Sequence, residues 1–298
     1  MSPRFSPVLM FTALAGSAAL FSAPARAADS APSADAADDK SAAPKPDADA
    51  PADADAAAAK PAEKDANLVA DAEAGSSPVE DPGKTYYFVG LRYRGVIVPK
   101  FMMNLFGDGG RSVYVNGVGP EFVIRKNAFE YDLSAWYAAY SMAPTPFKAS
   151  SDGADAWEIV ESHVKVLYLT SDFIWSHDFS PEVAFNYGVG AGFGFVFGDL
   201  NRTEAYPTTG ANYSTGAGFA ACTGPGTPDG SFCDPNGKHY NGYTEKSWAG
   251  GGSKPIIFPW LALQTGLRYK PVRNFVARLD AGFGTSGFFL GLGGDYGL

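Results

Sequence analysis

The chain has 298 residues, 46% of them hydrophobic, and carries 32 acidic against 23 basic side chains for a net charge of −9. That acidic balance, with a pI of about 4.8, excludes the basic face that a nucleic-acid partner requires. Mean hydropathy is −0.10, and no run after the N-terminal segment reaches the roughly 18 apolar residues of a helical membrane span.

The N-terminus reads as a secretory signal. Arg4 supplies a positive start, Val8 to Phe21 an apolar run, and Ala25-Arg26-Ala27 a small-x-small cleavage site, which makes residues 1–27 a signal peptide. No cysteine follows the cleavage site, which argues against a lipid anchor. Residues 28–83 are then dominated by Ala, Asp, Pro and Lys, as in Ala52-Asp53-Ala54-Asp55-Ala56 and Pro44-Lys45-Pro46, with no aromatic residue. Such a segment buries too little apolar surface to offset its chain entropy, so a disordered spacer is expected there. Residues 84–298 remain for one domain.

That domain reads as eight strands with a period of two. In the first, Tyr87, Val89, Leu91 and Tyr93 oppose Phe88, Gly90, Arg92 and Arg94. In the second, Val118, Phe122 and Ile124 oppose Gly117, Gly119, Glu121 and Arg125. In the third, Phe129, Tyr131, Leu133, Ala135 and Tyr137 oppose Glu130, Asp132, Ser134 and Trp136. The fourth runs from about Val160 to Trp175. It sets Val164, Val166 and Tyr168 against His163 and Lys165, then loses phase at Leu167 to Leu169, where a bulge is expected.

The fifth strand, Val183 to Gly198, is the clearest. Val183, Phe185, Tyr187, Val189, Ala191, Phe193, Phe195 and Phe197 form an apolar band, and the alternate positions are mostly glycine. A strand this long, apolar on one face and small or polar on the other, suits a wall between lipid and a filled lumen. In the sixth, Leu261, Leu263, Leu267 and Tyr269 alternate with Trp260, Gln264 and Arg268, and Pro259 marks a bulge or rim position. In the seventh, Phe275, Leu279 and Phe283 oppose Arg278 and Asp280. In the eighth, Phe288, Leu290, Leu292 and Tyr296 oppose Phe289, Gly291, Gly293 and Asp295.

The connections alternate in length. Short links follow the second, fourth and sixth strands, and long ones the first, third and fifth, with Thr285-Ser286 a short exception. Outer-membrane barrels pair short periplasmic turns with long outer loops in this way, and an even strand count closes the sheet and removes its edges. Tyr87, Phe129, Tyr131, Trp175, Phe185, Tyr187, Tyr269, Phe275 and Tyr296 all fall near the short-turn ends, as an aromatic girdle at headgroup level does.

On these patterns residues 84–298 resemble the small outer-membrane β-barrel family of the OmpA and OmpX kind. The resemblance implies a closed antiparallel up-and-down transmembrane barrel in a bacterial outer membrane, with lipid as its surround and the spacer in the periplasm. The alternation from Leu290 to Leu298, with Tyr296 third from the end, looks like the family's signal for the barrel-insertion machinery, although Leu298 stands where that signal commonly has Phe.

Inward positions carry the charges. Arg92, Arg94, Arg125, Lys165, Arg268 and Arg278 balance Glu121, Glu130, Asp132, Glu161, Asp280 and Asp295. Buried charge needs a partner, and an eight-stranded barrel is just wide enough for side chains to fill, so a salt-bridged plug is expected. A narrow porin-like channel and a soluble secreted β-barrel binder are the alternatives. Cys222 and Cys233 share a Gly/Pro/Asp-rich loop of an exported chain and are expected to form a disulfide. His239 is the one imidazole near them, too few ligands for a metal site. Neither a cofactor nor catalysis is expected: Glu161, Ser162 and His163 are the one local cluster, and neighbours in a strand point to opposite faces. The loop at 200–255 is the candidate surface for an extracellular ligand.

Overall fold

The computed structural model describes residues 77–105, 107–224 and 232–298. The signal peptide and most of the spacer expected from the sequence lie outside the described residues. Eight long strands form the barrel: β1 (Thr85–Val98), β2 (Val113–Lys126), β3 (Phe129–Ala149), β4 (Glu158–Asp178), β5 (Val183–Phe197), β6 (Ile257–Val272), β7 (Phe275–Gly284) and β8 (Gly287–Gly297). Each pairs antiparallel with its sequence neighbours, and β1 pairs with β8 from Phe88↔Gly297 to Ile97↔Phe288, which closes the ring. Closure leaves no unpaired edge for another chain to extend.

Alternation decides the facing. On β5, Phe185, Tyr187, Val189, Phe193, Phe195 and Phe197 are exposed on the outside, while Ala184, Asn186, Gly190 and Gly194 are buried. The same apolar band continues around the wall through Leu91, Leu133, Leu169, Leu263, Leu279 and Leu292. The lumen glycines make room for rings. A side chain at Gly194 would collide with Tyr168, and one at Gly282 with Phe289. The barrel can therefore pack large aromatics across a narrow interior without widening.

One end of the barrel is built of tight turns, at Asn127, at 179–182 and at Arg273-Asn274. Asn127 sits at φ 55, a left-handed position that asparagine tolerates. The other end carries the long connections. There β3 and β4 run past the rim as a hairpin of two 21-residue strands. The strand Leu200–Pro207 takes over from β5 as partner to β4, from Ser162↔Leu200 to Glu158↔Glu204. The strands Phe219–Ala221 and Tyr243–Thr244 pair in turn with Leu200–Pro207, and Gly107–Gly109 pairs with β3. The connection read as the candidate ligand surface thus includes a small sheet that is paired to the outer end of β4.

Two features differ from the sequence reading. The irregularity expected in β4 lies in β3, where the register shifts between Met142 and Thr145; β4 pairs with β5 without a break from Lys165 to Asp178. The facing of β4 is also inverted at its outer half. Val166 and Tyr168 point inward, while Lys165 and Leu167 are exposed. The lumen at this height is itself apolar, so hydrophobicity does not distinguish inside from outside there. Pro259 opposes Phe193 in unbroken register on β6, beyond the start of the β6–β7 pairing at Ala262, and so occupies the rim.

Candidate functional site

The lumen is filled in layers. At the turn end Arg125, on β2, pairs with Glu130, on β3, and donates to Ser176 Oγ at 2.8 Å; Arg268 Nε lies 3.3 Å from the same glutamate. One layer in, Arg278 binds Glu130, reaches Asp132 Oδ2 at 3.2 Å, and donates through Nε to Asp295 Oδ2 at 2.6 Å. Arg92 follows, with Nε 2.8 Å from Glu121 Oε2, Nη2 3.2 Å from Asp132 and Nη1 3.4 Å from Asp172; Asp280 stands 3.7 Å off.

Arg94 ends the ionic stack. It pairs with Asp172 and lays its guanidinium over the rings of Trp136, Trp260 and Phe289, at 5.3, 5.6 and 5.8 Å from their centres. Above it an apolar layer of Val96, Val115, Ala138, Val166 and Ala262 closes around Tyr168, whose hydroxyl meets those of Tyr140 at 2.8 Å and Ser286 at 3.3 Å. Anionic and aromatic partners of this kind give a buried guanidinium part of what water would have supplied.

Of the lumen charges expected from sequence, Glu161 and Lys165 are corrected. Glu161 sits near the outer end of β4, 3.8 Å from an exposed His163, and Lys165 is exposed opposite Phe197. The inverted facing of β4 explains both. Asp172 was missed; it lies in phase with Tyr168 and Thr170 and joins two arginines. Lys270 was also missed, although it follows Arg268 by two residues on one face. Glu80 had no periodic signal at all. It belongs to the stretch read as spacer, yet residues 77–83 fold beneath the barrel. Its carboxylate accepts from Arg125 at 2.8 Å, Arg268 at 2.9 Å and Lys270 at 2.7 Å. Burial acts to raise its pKa, but Arg125, Arg268 and Lys270 outweigh that and hold it at about 2.

The girdle residues all sit near the turn end on the outer surface. Phe129 tilts against Trp175, Trp175 stacks on Tyr187, and Tyr187 meets Phe185. Tyr87, Tyr269, Phe275 and Tyr296 are exposed on the adjoining wall. Rings at this level suit a membrane interface, where one edge stays wet.

At the loop end the small sheet has its own core of Trp157, Ala205 and Phe219, with Ile159 and Ala211 against it. Trp157 Nε1 donates to the carbonyls of Ala154 and Tyr213, each at 3.1 Å, and Lys148 caps its ring. The ring also lies against Gly216, at φ 73, where a side chain would both clash and strain the backbone. Beside this core Glu158 binds Arg202 at 2.6 Å and His239 Nδ1 at 2.6 Å; burial opposes its ionisation, but His239 and Arg202 lower its pKa. Cys222 and Cys233 are joined in a disulfide with Cα atoms 5.8 Å apart. Ser162 Oγ donates to the carbonyl of Tyr140 at 2.7 Å and accepts from the amide of Val164 at 3.3 Å. Among the described residues no cluster of His, Cys, Asp or Glu is arranged to hold a metal.

No family model matches the chain, and no curated protein does. Among solved structures, Neisserial surface protein A (NspA) aligns at 8% identity over 72% of this chain and 98% of its own, with a TM-score of 0.36. Ail, the attachment invasion locus protein of Yersinia pestis, aligns at 12% identity over 73% and 100%, with a TM-score of 0.34. The translocator domain of the autotransporter NalP from Neisseria meningitidis aligns at 9% identity over 78% and 93%, with a TM-score of 0.19. The fold stands on the ring itself, on its strand count, pairing and apolar exterior: the chain folds as a closed, antiparallel, up-and-down barrel of eight strands, the architecture of the small outer-membrane β-barrels.

Proposed function

We propose that the protein is an integral barrel of a bacterial outer membrane with a structural or surface-interaction role, and that it carries no open pore. The turn end faces the periplasm and the loop-end sheet faces outward. The observation that carries this reading is the ladder of Arg125, Arg278, Arg92 and Arg94 with their carboxylates, capped by an aromatic layer, across the width of the lumen. Fixed pairs at this spacing leave a permeating ion no unpaired charge to exchange with. The surface role rests on the loop-end sheet, which a rigid hairpin holds beyond the rim. Loops on a rigid scaffold are where binding is commonly carried.

Extraction from outer-membrane fractions only with detergent, and a heat-dependent shift in gel mobility, are the expected behaviour. Retention of the folded chain in detergent-free buffer would sink the membrane assignment. In planar bilayers the refolded protein should give no steady current. An ohmic single-channel conductance would instead establish the channel reading.

A further inference from the structure

Residues 77–84 cross the turn-end mouth before the chain enters β1. Glu80 turns its carboxylate inward and binds Arg125 on β2 together with Arg268 and Lys270 on β6. In an eight-membered ring β2 and β6 stand opposite one another, so this single carboxylate spans the lumen from wall to wall. The three cations are almost fully buried. Arg125 and Arg268 also share Glu130, but Glu130 is shared again with Arg278, and Lys270 meets no other carboxylate among the described residues. The wall thus presents more positive charge at this level than it neutralises, and the deficit is met from outside the barrel.

The flanks set the segment in place. Gly83 N donates to Asn127 Oδ1 at 2.8 Å, in the β2–β3 turn, and Asp81 bridges to Arg273 at 2.6 Å, in the β6–β7 turn, while its amide donates to Tyr86 Oη at 2.8 Å. These outer contacts are exposed and individually weak. The buried carboxylate is the strong one.

We propose that Arg125, Arg268 and Lys270 form a carboxylate-binding site at the mouth, and that residues 77–84 are a latch whose tethered ligand is Glu80. Tethering holds the carboxylate at a high effective concentration, so free anions do not displace it while the segment stays seated. Release of Glu80 exposes an anion-binding mouth on the side from which the chain enters. This holds whether or not the lumen conducts.

The test is a nitroxide at Val79→Cys, an exposed position beside Glu80, in the full chain refolded into phosphatidylcholine vesicles. Heat-dependent gel mobility verifies that each variant folds. The label should be restricted in the otherwise native protein and predominantly mobile in Glu80→Gln. Glu80→Asp should recover part of the restriction, and Asp81→Asn should leave most of it. If Glu80→Gln fails to fold, Lys270→Met is read instead, with at least a twofold rise in the mobile fraction expected. A Glu80→Gln spectrum that overlays the native one, equal mobility in Glu80→Gln and Asp81→Asn, or an unchanged Lys270→Met would each overturn the latch.

Discussion

Replacing Arg278 by methionine should be the most damaging single change in the lumen. The guanidinium is the meeting point of Glu130 and Asp132 on β3 and Asp295 on β8, and its side chain is 1% exposed. Methionine keeps the length of the stem and removes the charge, so three carboxylates face one another without their shared cation. Breaking one buried pair by deleting a partner costs about 3–5 kcal/mol, because the remaining charge stays out of water. Glu130 and Asp132 keep other arginine partners, which holds the loss within that range. Asp295 keeps none among the described residues, so adding Asp295→Asn should return at least about 1 kcal/mol, the signature of coupling between neighbours. The assay is urea unfolding in lipid vesicles followed by tryptophan fluorescence, with gel mobility as a second probe. A loss below about 1 kcal/mol for Arg278→Met, or a double variant no more stable than the single one, would show that the ladder is decorative.

Four further outcomes follow from the geometry. Val189→Arg, near the middle of the outward face of β5, should cost about 2–4 kcal/mol, while Lys165→Leu at the rim should be nearly silent; equal effects would contradict the facing of β4 and β5. Trp157→Ala should raise protease sensitivity across 200–255, on the scale of about 3–5 kcal/mol for loss of a buried aromatic, with the barrel's gel mobility unchanged. Reducing the Cys222–Cys233 bond should act in the same place. Its separation of 11 residues corresponds to roughly 3 kcal/mol of loop-closure entropy, and loss of barrel folding on reduction would contradict that local role. The Glu80 contact should persist well into acid. Its pKa is depressed, so its contribution is fully present above about 4.5, the ordinary glutamate value, and is lost as pH falls through about 2. Arg125, Arg268 and Lys270 face it from the wall and stay charged throughout, with Glu130 behind them and Asp81 and Arg273 at the rim. A label at position 79 that becomes mobile already at pH 4 would contradict this.

The wall of the barrel was legible because its outward and inward faces contrast strictly. From Val183 to Phe197 every outward position is apolar and most inward ones are tiny, so strand identity and facing follow directly. The ionic half of the lumen was legible for the same reason: Arg92, Arg94, Arg278 and Asp280 alternate with exposed aromatic and aliphatic residues. Legibility failed where that contrast vanished. At the height of Tyr168 both faces of the wall are apolar, and a strand with no contrast between its faces reads one residue out of phase, which places Lys165 inward. It failed again where a contact is tertiary and local in sequence to nothing. Glu80 stands between Val79 and Asp81 in a stretch whose composition resembles the spacer before it, and its three partners arrive from β2 and β6. The loop-end sheet was missed because Leu200–Pro207 pairs with a strand some forty residues earlier, a long-range partnership with no sign in its own short pattern.

The aromatic box over Arg94 has a practical consequence. The chain's five tryptophans occupy different surroundings. Trp136 and Trp260 are sealed together in the lumen, Trp157 is the heart of the loop-end sheet, Trp175 lies on the outer wall among the aromatics of the turn end, and Trp248 is exposed beyond the rim. Brominated acyl chains should therefore quench Trp175 before any other, and aqueous iodide should quench Trp248. The lumen pair should answer to neither until the ring opens. The protein carries its own optical markers, one for the bilayer, one for the water outside and one for the integrity of the closed interior.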